Sequence, residues 1–167
     1  MSRLQSQYEA YARYNRWMNE RLYALAAGLD DETRKRDLGA FFGSIHRTFN
    51  HILLGDRVWL GRFGVREPLV VTSLRDELYA DFADLRRERA KSDDEITAYV
   101  ASLDGEKLDA PLRYARAGTP IEHPLWWAVG HFFNHQTHHR GQLTTLFRQL
   151  GHDPGSTDMI ALLRDIV

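Results

Sequence analysis

The sequence predicts an all-α protein, a four-helix bundle with long connections and a short helix near its C-terminal end. Apolar residues recur at three- and four-residue steps through four long segments, which is the period of an amphipathic helix. Glycine, proline and capping residues separate these segments. A chain of 167 residues is long enough for one hydrophobic core and short for two, so we expect a single domain over residues 1–167.

Taken in order, the first helix is predicted over residues 4–29 and the second over residues 40–63, closed by Gly64 and Pro68. Ser73 has the character of an N-cap, with Asp76 three residues later. The third helix is therefore expected to begin after Ser73 and to extend, with or without a restart at Ser92, to about residue 103.

The remaining segment is less regular. Residues 108–123 contain two short patches, residues 112–114 and 119–122, on either side of Ala117 and Gly118, which could form a small hairpin or an irregular loop. Pro124 suits the first turn of a fourth helix over residues 125–150, and Gly151 suits its end. A short fifth helix is expected over residues 158–166.

Charge and composition exclude several classes of function. The 22 Lys+Arg and 23 Asp+Glu leave a net charge of −1, which gives no electrostatic reason to bind nucleic acid or an anionic membrane. No run approaches the ~18 apolar residues of a membrane span, and the first residues lack the apolar core of a signal peptide. We therefore expect a cytoplasmic protein without nucleic-acid or membrane partners.

Four of the eight histidines lie in the stretch HFFNHQTHHRGQ, residues 131–142. Histidines four residues apart share one helix face, and this spacing is a known way of holding a transition metal. At about 100° per residue, His135 and His139 point most directly toward the apolar face, whereas His131 and His138 lie further toward the rim. His135 and His139 are therefore the predicted pair of metal ligands.

A third ligand must come from another helix, and the second helix offers His46 and His51. These residues are five positions apart, so about 140° separates their side chains and only one of them can face a given site. The apolar periodicity does not decide between them. With no cysteine in the chain, three imidazoles would favour Zn²⁺, Ni²⁺, Fe²⁺ or Cu²⁺ over Mg²⁺ or Ca²⁺.

Two charged residues, Asp56 and Arg140, fall on apolar helix faces. A buried unpaired carboxylate is costly, so we expect Asp56 to pair with Arg140 or another arginine. The alternative is that Asp56 supports the imidazole of a metal ligand. Acidic and basic residues are interleaved over residues 84–93, and this pattern predicts a helix face exposed to solvent.

Three stretches of the chain resemble the DinB/YfiT-like metalloenzymes. HFFNHQTHHRGQ followed by LGHDPGSTD resembles the helix-four signature of that family. HILLGDRVWLGRF, residues 51–63, is similar to its His-x-x-x-x-Asp/Glu segment ending in an aromatic residue, and YARYNRWMNERL, residues 11–22, looks like its first helix. The resemblance covers nearly the whole chain.

The resemblance implies a four-helix bundle, often dimeric, that binds a divalent transition metal through three histidines. Mapped onto this chain, the ligands are His51, His135 and His139, which selects His51 over His46. Zn²⁺ or Ni²⁺ is the first expectation for the metal, followed by Fe²⁺ or Mn²⁺.

The resemblance also implies a class of reaction, because characterised relatives are mostly metal-dependent thiol S-transferases or hydrolases. We expect a cytoplasmic, homodimeric enzyme whose metal activates a low-molecular-weight thiol or a water; its catalytic residues are not assigned. The alternative is a non-catalytic stress-response protein in which the metal is structural or sensory. The family name records induction by DNA damage, which is not evidence of DNA binding.

Overall fold

The structure, a computed structural model, describes the backbone of residues 2–166 and the side chains up to Leu162. This part of the chain is mostly helical and includes one small two-stranded sheet. Its elements are α1 (Arg3–Ala27), α2 (Asp31–Lys35), α3 (Ile45–Arg62), α4 (Phe82–Ala101), α5 (Gly105–Asp109), β1 (Pro111–Arg116), β2 (Thr119–Pro124), α6 (Leu125–Gln149) and α7 (Met159–Ile166).

The four long helices α1, α3, α4 and α6 pack against one another through two apolar clusters. Helix α1 contacts α4 and α6, and α3 likewise contacts both α4 and α6. One cluster includes Phe49 of α3 and Phe147 of α6, and the other includes Trp59 of α3 and Phe132 of α6. Each fully buried side chain of this size stabilises the fold by about 1.5–3 kcal/mol, so the α3–α6 contact is firmly held.

Helix α3 begins five residues later than its apolar pattern predicts. Ala40 and Gly43 pair in an isolated bridge, and Gly43 adopts a φ of 81°, which is incompatible with helix. The side chain of Ser44 then accepts a hydrogen bond from the Arg47 amide and caps the helix. The segment before α3 is therefore a turn, and it brings Phe42 back over the helix.

The predicted start of the third long helix after Ser73 is wrong, because α4 begins at Phe82 with Asp81 as its N-cap. Both polar backbone groups of Tyr79 are bound by the side chain of Asn50, so they are not available to a helical ladder. The Asp76 carboxylate accepts hydrogen bonds from the amides of Thr72 and Ser73, which closes a local turn instead. Residues 64–81 thus form a long connection that lies against α3.

The hairpin alternative for residues 108–123 is confirmed, which makes the all-α class incomplete. Strands β1 and β2 pair antiparallel, with Tyr114 opposite Ile121. Ala117 and Gly118 have φ values of 49° and 79°, the signs required by a tight two-residue hairpin turn. The short helices α2 and α5, each capped by an aspartate, were not predicted.

Helices α6 and α7 agree with their predicted bounds to within one residue at each end. Helix α6 follows Pro124 directly and runs for 25 residues. It presents the histidine-rich stretch across from α3. Within the described chain, none of the helices is both long and apolar enough to cross a membrane.

Candidate metal centre

The structure brings His51, His135 and His139 together between α3 and α6. The Nε2 atom of His51 lies 3.3 Å from Nε2 of His135 and 3.1 Å from Nε2 of His139. The Nε2 atoms of His135 and His139 are also 3.1 Å apart. Among the described residues these three form a group that could hold a metal ion, and they are the ligands implied by the family resemblance.

The second ring nitrogen of two of these histidines is bound to an oxygen. His51 Nδ1 lies 2.9 Å from the carbonyl oxygen of Leu74, and His139 Nδ1 lies 2.8 Å from Oε1 of Gln142. Carbonyl oxygens only accept, so in each ring Nδ1 carries the proton and donates it. The Nε2 atom is left with its lone pair, which is the arrangement that partners of metal-binding histidines normally enforce.

His135 depends on a glycine of the facing helix. A Cβ added to Gly55 would lie 2.9 Å from Cε1 of His135, closer than such atoms approach in proteins. The missing side chain at this point of α3 therefore leaves the space in which the His135 ring sits. This residue type is as necessary to the geometry as the histidines themselves.

All three imidazoles are disfavoured as cations. Burial, together with the neighbouring His139 and His51, lowers the pKa of His135 to about 3. Burial lowers the pKa of His139 to about 4 despite its bond to Gln142. Burial also lowers the pKa of His51, although its bond to the Leu74 carbonyl opposes this effect. Neutral rings with converging lone pairs are the form in which histidine binds metal.

The separations of the ring nitrogens suit a metal ion. Two nitrogens bound to one tetrahedral Zn²⁺ at about 2.0–2.1 Å are about 3.3–3.4 Å apart. The observed separations of 3.1–3.3 Å are close to that value. Without a proton or a cation between them, three lone pairs at these distances repel one another, so the residues present fit a divalent cation.

The ring of Phe42 is the aromatic neighbour that two of the three ligand imidazoles share. The ring of Phe42 stacks on His51 with centroids 3.9 Å apart and meets His139 edge-on at 5.6 Å. Among the side chains that the structure describes, no carboxylate contacts the three imidazoles. A divalent cation held here would keep its full charge and would attract an anionic ligand.

The other histidines of these helices lie outside the cluster. His46 is buried, and its Nε2 lies 2.9 Å from the carbonyl oxygen of Tyr79, so it holds the 64–81 connection. His131 and His138 are exposed, as their position toward the rim of the helix predicts. His131 nevertheless lies beside the site, with its ring 6.1 Å from that of His135.

Asp56 is fully buried five residues after His51 on α3, and its expected pairing with an arginine is confirmed. Arg89 of α4 forms an ion pair with one carboxylate oxygen, and Gln136 donates to the other at 2.7 Å. Burial raises the pKa of Asp56, and the positive charge of Arg89 opposes that rise. Asp56 makes no contact with the ligand imidazoles, so the alternative role beside a metal ligand has no support in this geometry.

The charges of residues 84–93 do not all form a solvated face, because Arg89 and Asp93 are each only 3% exposed. Arg89 bridges Asp56 and Asp93, while Arg140 donates to Asn15 on the other side of the network. Two carboxylates and two guanidinium groups thus balance in the interior. The signal in the sequence was the helical spacing of Leu85, Arg89, Asp93 and Ile96, which puts both charges on the apolar face of α4.

Sequence reasoning missed four residues that complete the centre. Gln142 and the Leu74 carbonyl orient two of the rings, Phe42 covers them, and Gly55 makes room for the third. Gln142 was visible in the quoted stretch, three residues after His139. The other contacts join distant parts of the chain and leave no local pattern.

The fold and the site together define a mostly helical protein whose three-histidine group could hold a metal ion. The family model described as the DinB family matches residues 1–165, and the chain belongs to that family. The resemblance stated from the sequence is therefore confirmed.

Two relatives agree with this assignment. The chain is 25% identical over 155 residues to Protein DinB of Bacillus subtilis strain 168, covering 87% of each chain. It also resembles the crystal structure of a DinB-like protein from Bacillus cereus ATCC 10987, with a TM-score of 0.62 and 21% identity. That match covers 83% of this chain and 89% of the other, and it supports the fold alone.

Proposed function

We propose that the protein is a metal-dependent enzyme in which His51, His135 and His139 hold one divalent transition metal. The observation that carries this proposal is the convergence of three Nε2 atoms to within 3.3 Å, with two of the rings fixed as Nδ1–H tautomers. Imidazole donors favour Zn²⁺ or Ni²⁺, and Fe²⁺ or Mn²⁺ are the next candidates.

The proposed reaction is thiol S-transfer or hydrolysis on a small molecule. When bound, a divalent cation lowers the pKa of a thiol or a water and so supplies a nucleophile near neutral pH. Three protein ligands leave at least one position for that molecule. Because the protein ligands are all neutral, an anionic thiolate or hydroxide is the ligand that electrostatics favours.

The chain's own residues keep the site ready for such a ligand. The Leu74 carbonyl and Gln142 hold the Nδ1 protons of His51 and His139, so the Nε2 lone pairs stay directed inward. Phe42 covers the outer face of His51 and keeps water from that side of the ring. These contacts preorganise the ligands before any metal arrives.

A non-catalytic protein, in which the metal is structural or sensory, is the second candidate. The observation that favours it is the bond between His51 and Leu74, which couples the candidate ligand to the long 64–81 connection. Metal binding would then change the order of this segment. In a stress-response role, the change in order of residues 64–81 would be the signal, and no substrate would be converted.

Metal analysis of protein purified without a histidine tag tests the site. We expect about one equivalent of metal in the wild type and a loss of most of it in His135→Ala, because two ligands rarely suffice. His152→Ala is the matched control, since His152 is outside the three-histidine group and makes no described side-chain contact with its members. Equal metal content in the wild type and His135→Ala would contradict the proposed metal site.

A turnover assay separates the two candidates. The metal-loaded protein is incubated with small thiols and an electrophile, and product is followed for the wild type and His135→Ala. Metal-dependent turnover supports the enzyme, whereas bound metal without turnover supports the second candidate. A melting temperature that falls on chelation would add a stabilising role for the metal.

We further propose that the four long helices form a four-helix bundle, that the chain is one domain, and that it works as a cytoplasmic homodimer. The mutual packing of α1 and α3 with α4 and α6 supports the bundle. The homodimer stays a prediction from the family resemblance. Light scattering of the purified protein measures the mass and checks it.

A further inference from the structure

Arg62, in the last turn of α3, is held between two aromatic rings. Its Cζ atom lies 4.5 Å from the ring centroid of Trp59 and 4.4 Å from that of Tyr114 in β1. A guanidinium group between two ring faces is fixed in position, and its N–H edge is left free to bind a ligand. Trp59 and Tyr114 therefore hold the guanidinium of Arg62 in a fixed position.

No acidic partner accounts for this placement. In the part of the chain whose side chains are described, no carboxylate forms a salt bridge with Arg62 and no acceptor is recorded for its N–H groups. Half-buried Arg57, by contrast, pairs with Glu88 at 2.6 Å, and buried Arg89 pairs with Asp56. The half-buried guanidinium of Arg62 therefore keeps its N–H groups available to an anion, which would accept charge-assisted hydrogen bonds from them.

The groups around Arg62 are electrostatically compatible with an anion. Burial lowers the pKa of Arg62, Tyr114 partly offsets that shift, and the nearby positive charge of Arg116 adds to it. The titratable groups that act on Arg62, Tyr114 and Arg116, are thus neutral or positive at neutral pH.

A continuous line of contacts connects Arg62 with the metal centre. The ring of His131 lies 5.1 Å from Trp59 and 6.1 Å from His135. On α3, Trp59 follows Gly55, the residue that faces His135, by four positions, or about 6 Å along the helix axis. A ligand with one end at the histidines can therefore reach the guanidinium with a chain of modest length.

We propose that Arg62 and His131 form an anion-binding subsite that holds a carboxylate or phosphate of the substrate. The inference rests on the proposed metal-dependent function and narrows its substrate class. The substrate is a small thiol, or a hydrolysable molecule, with an anionic group within about 16 Å of its reacting atom, because Arg62 follows His51 by eleven positions on α3. A planar guanidinium matches both carboxylate and phosphate with two parallel hydrogen bonds.

Calorimetric titration of the metal-loaded protein with thiols of different charge tests the subsite. Glutathione carries carboxylates, phosphopantetheine carries a phosphate, and cysteamine carries neither. In Arg62→Gln we expect binding of at least one anionic thiol to weaken about tenfold or more, because a charged hydrogen-bond donor is lost. Cysteamine binding should change less than about twofold, and the anionic thiol that the wild type binds more tightly identifies the preferred anion.

Arg86→Gln is the matched control, because Arg86 is an exposed arginine on α4 whose loss changes the net charge equally. It should bind all three thiols as the wild type does. The subsite would be overturned if Arg62→Gln bound the anionic thiols as tightly as the wild type, if it weakened cysteamine equally, or if the wild type bound neither anionic thiol.

A metal-independent arm separates this inference from the proposed function. S-methylglutathione keeps the carboxylates and cannot bind a metal as a thiolate, so its affinity reports on the subsite even in metal-free protein. Weaker binding to Arg62→Gln than to the wild type supports the subsite whatever the metal content. Metal content of Arg62→Gln should equal that of the wild type, since Arg62 is not one of the candidate ligands, whereas loss of its two ring contacts should lower the melting temperature slightly.

Discussion

Gly55 is the residue whose replacement should disturb the metal centre most selectively. In Gly55→Ala the new Cβ would meet Cε1 of His135 at 2.9 Å, so the ring must move out of line with His51 and His139. We expect metal affinity to fall about 10- to 100-fold, as it does when a ligand loses its orientation. The measurement is a metal titration against a competing chelator.

Gly141→Ala is the control for that experiment, because Gly141 also lies within a long helix and an added Cβ would meet nothing within 4 Å. This variant should keep its metal affinity and gain up to about 1 kcal/mol of stability from better helix propensity. If Gly55→Ala bound metal as the wild type does, the close packing of α3 against His135 would have no role in the site.

Asp56 should matter for stability and not for metal binding. Replacing it with Ala leaves Arg89 with one carboxylate, so the buried network carries an uncompensated positive charge. We expect the free energy of unfolding to fall by about 3–5 kcal/mol, measured by urea denaturation. A smaller loss, within about 1 kcal/mol, would contradict a dry and charge-balanced interior.

The control for Asp56→Ala is Asp94→Ala on the surface of α4. Asp94 pairs with Arg16 at 2.6 Å, but its side chain is 71% exposed. An ion pair in water is worth about 0–1 kcal/mol, so this variant should unfold almost as the wild type does. The comparison isolates the effect of burial from the loss of a salt bridge.

Single residues differ in how well the sequence predicted them. His135 and His139 followed from helical periodicity, because both ligands lie on one helix and share a face. The choice of His51 over His46 needed the family resemblance, since a five-residue spacing does not show which side chain faces the partner helix. Gly55 and Arg62 could not be predicted, because their importance comes from contacts with other elements.

The 64–81 connection depends on α3 for its structure. Asn50 accepts a hydrogen bond from the Tyr79 amide at 2.9 Å and donates to the Tyr79 carbonyl at 3.1 Å. In Asn50→Ala we expect the Tyr79 amide to exchange its hydrogen at least about tenfold faster, because a bond worth about 1 kcal/mol or more is lost. Hydrogen exchange followed by NMR provides the measurement.

Asn134→Ala, on the exposed side of α6, is the control and should leave exchange at Tyr79 unchanged. An unchanged exchange rate in Asn50→Ala as well would mean that other contacts hold the segment. Leu74 belongs to the same segment, and its carbonyl oxygen accepts a hydrogen bond from His51. We therefore also expect a modest loss of metal affinity in Asn50→Ala and none in Asn134→Ala.

Helices and strands were predicted well where the apolar periodicity is continuous. They were predicted poorly where side chains from other elements form hydrogen bonds with the backbone groups that a helix would need. Helix α6 was placed to within one residue because its pattern is continuous and Pro124 marks its start. The third long helix was begun too early because Leu74 and Leu78 mimic a helical stripe. Leu74 is 61% exposed, and the backbone that would continue the helix at Tyr79 is bound by Asn50 instead.

For the whole molecule, the fold unites two halves of one site that are far apart in the sequence. Helix α3 contributes His51 and α6 contributes His135 and His139, and the aromatic and aliphatic contacts between these helices hold the halves in register. The buried charge network around Asp56 connects α1, α3, α4 and α6 through hydrogen bonds and ion pairs. Metal binding would therefore add one more bond between elements that already pack together.

The most direct test of this account is a crystal structure of the metal-loaded protein with anomalous data collected at the absorption edge of the bound metal. We expect one strong anomalous peak about 2.0–2.3 Å from each Nε2 atom of His51, His135 and His139. The absorption edge would identify the metal. A metal-loaded crystal with no peak between these three rings, or with its peak at other residues, would contradict the account.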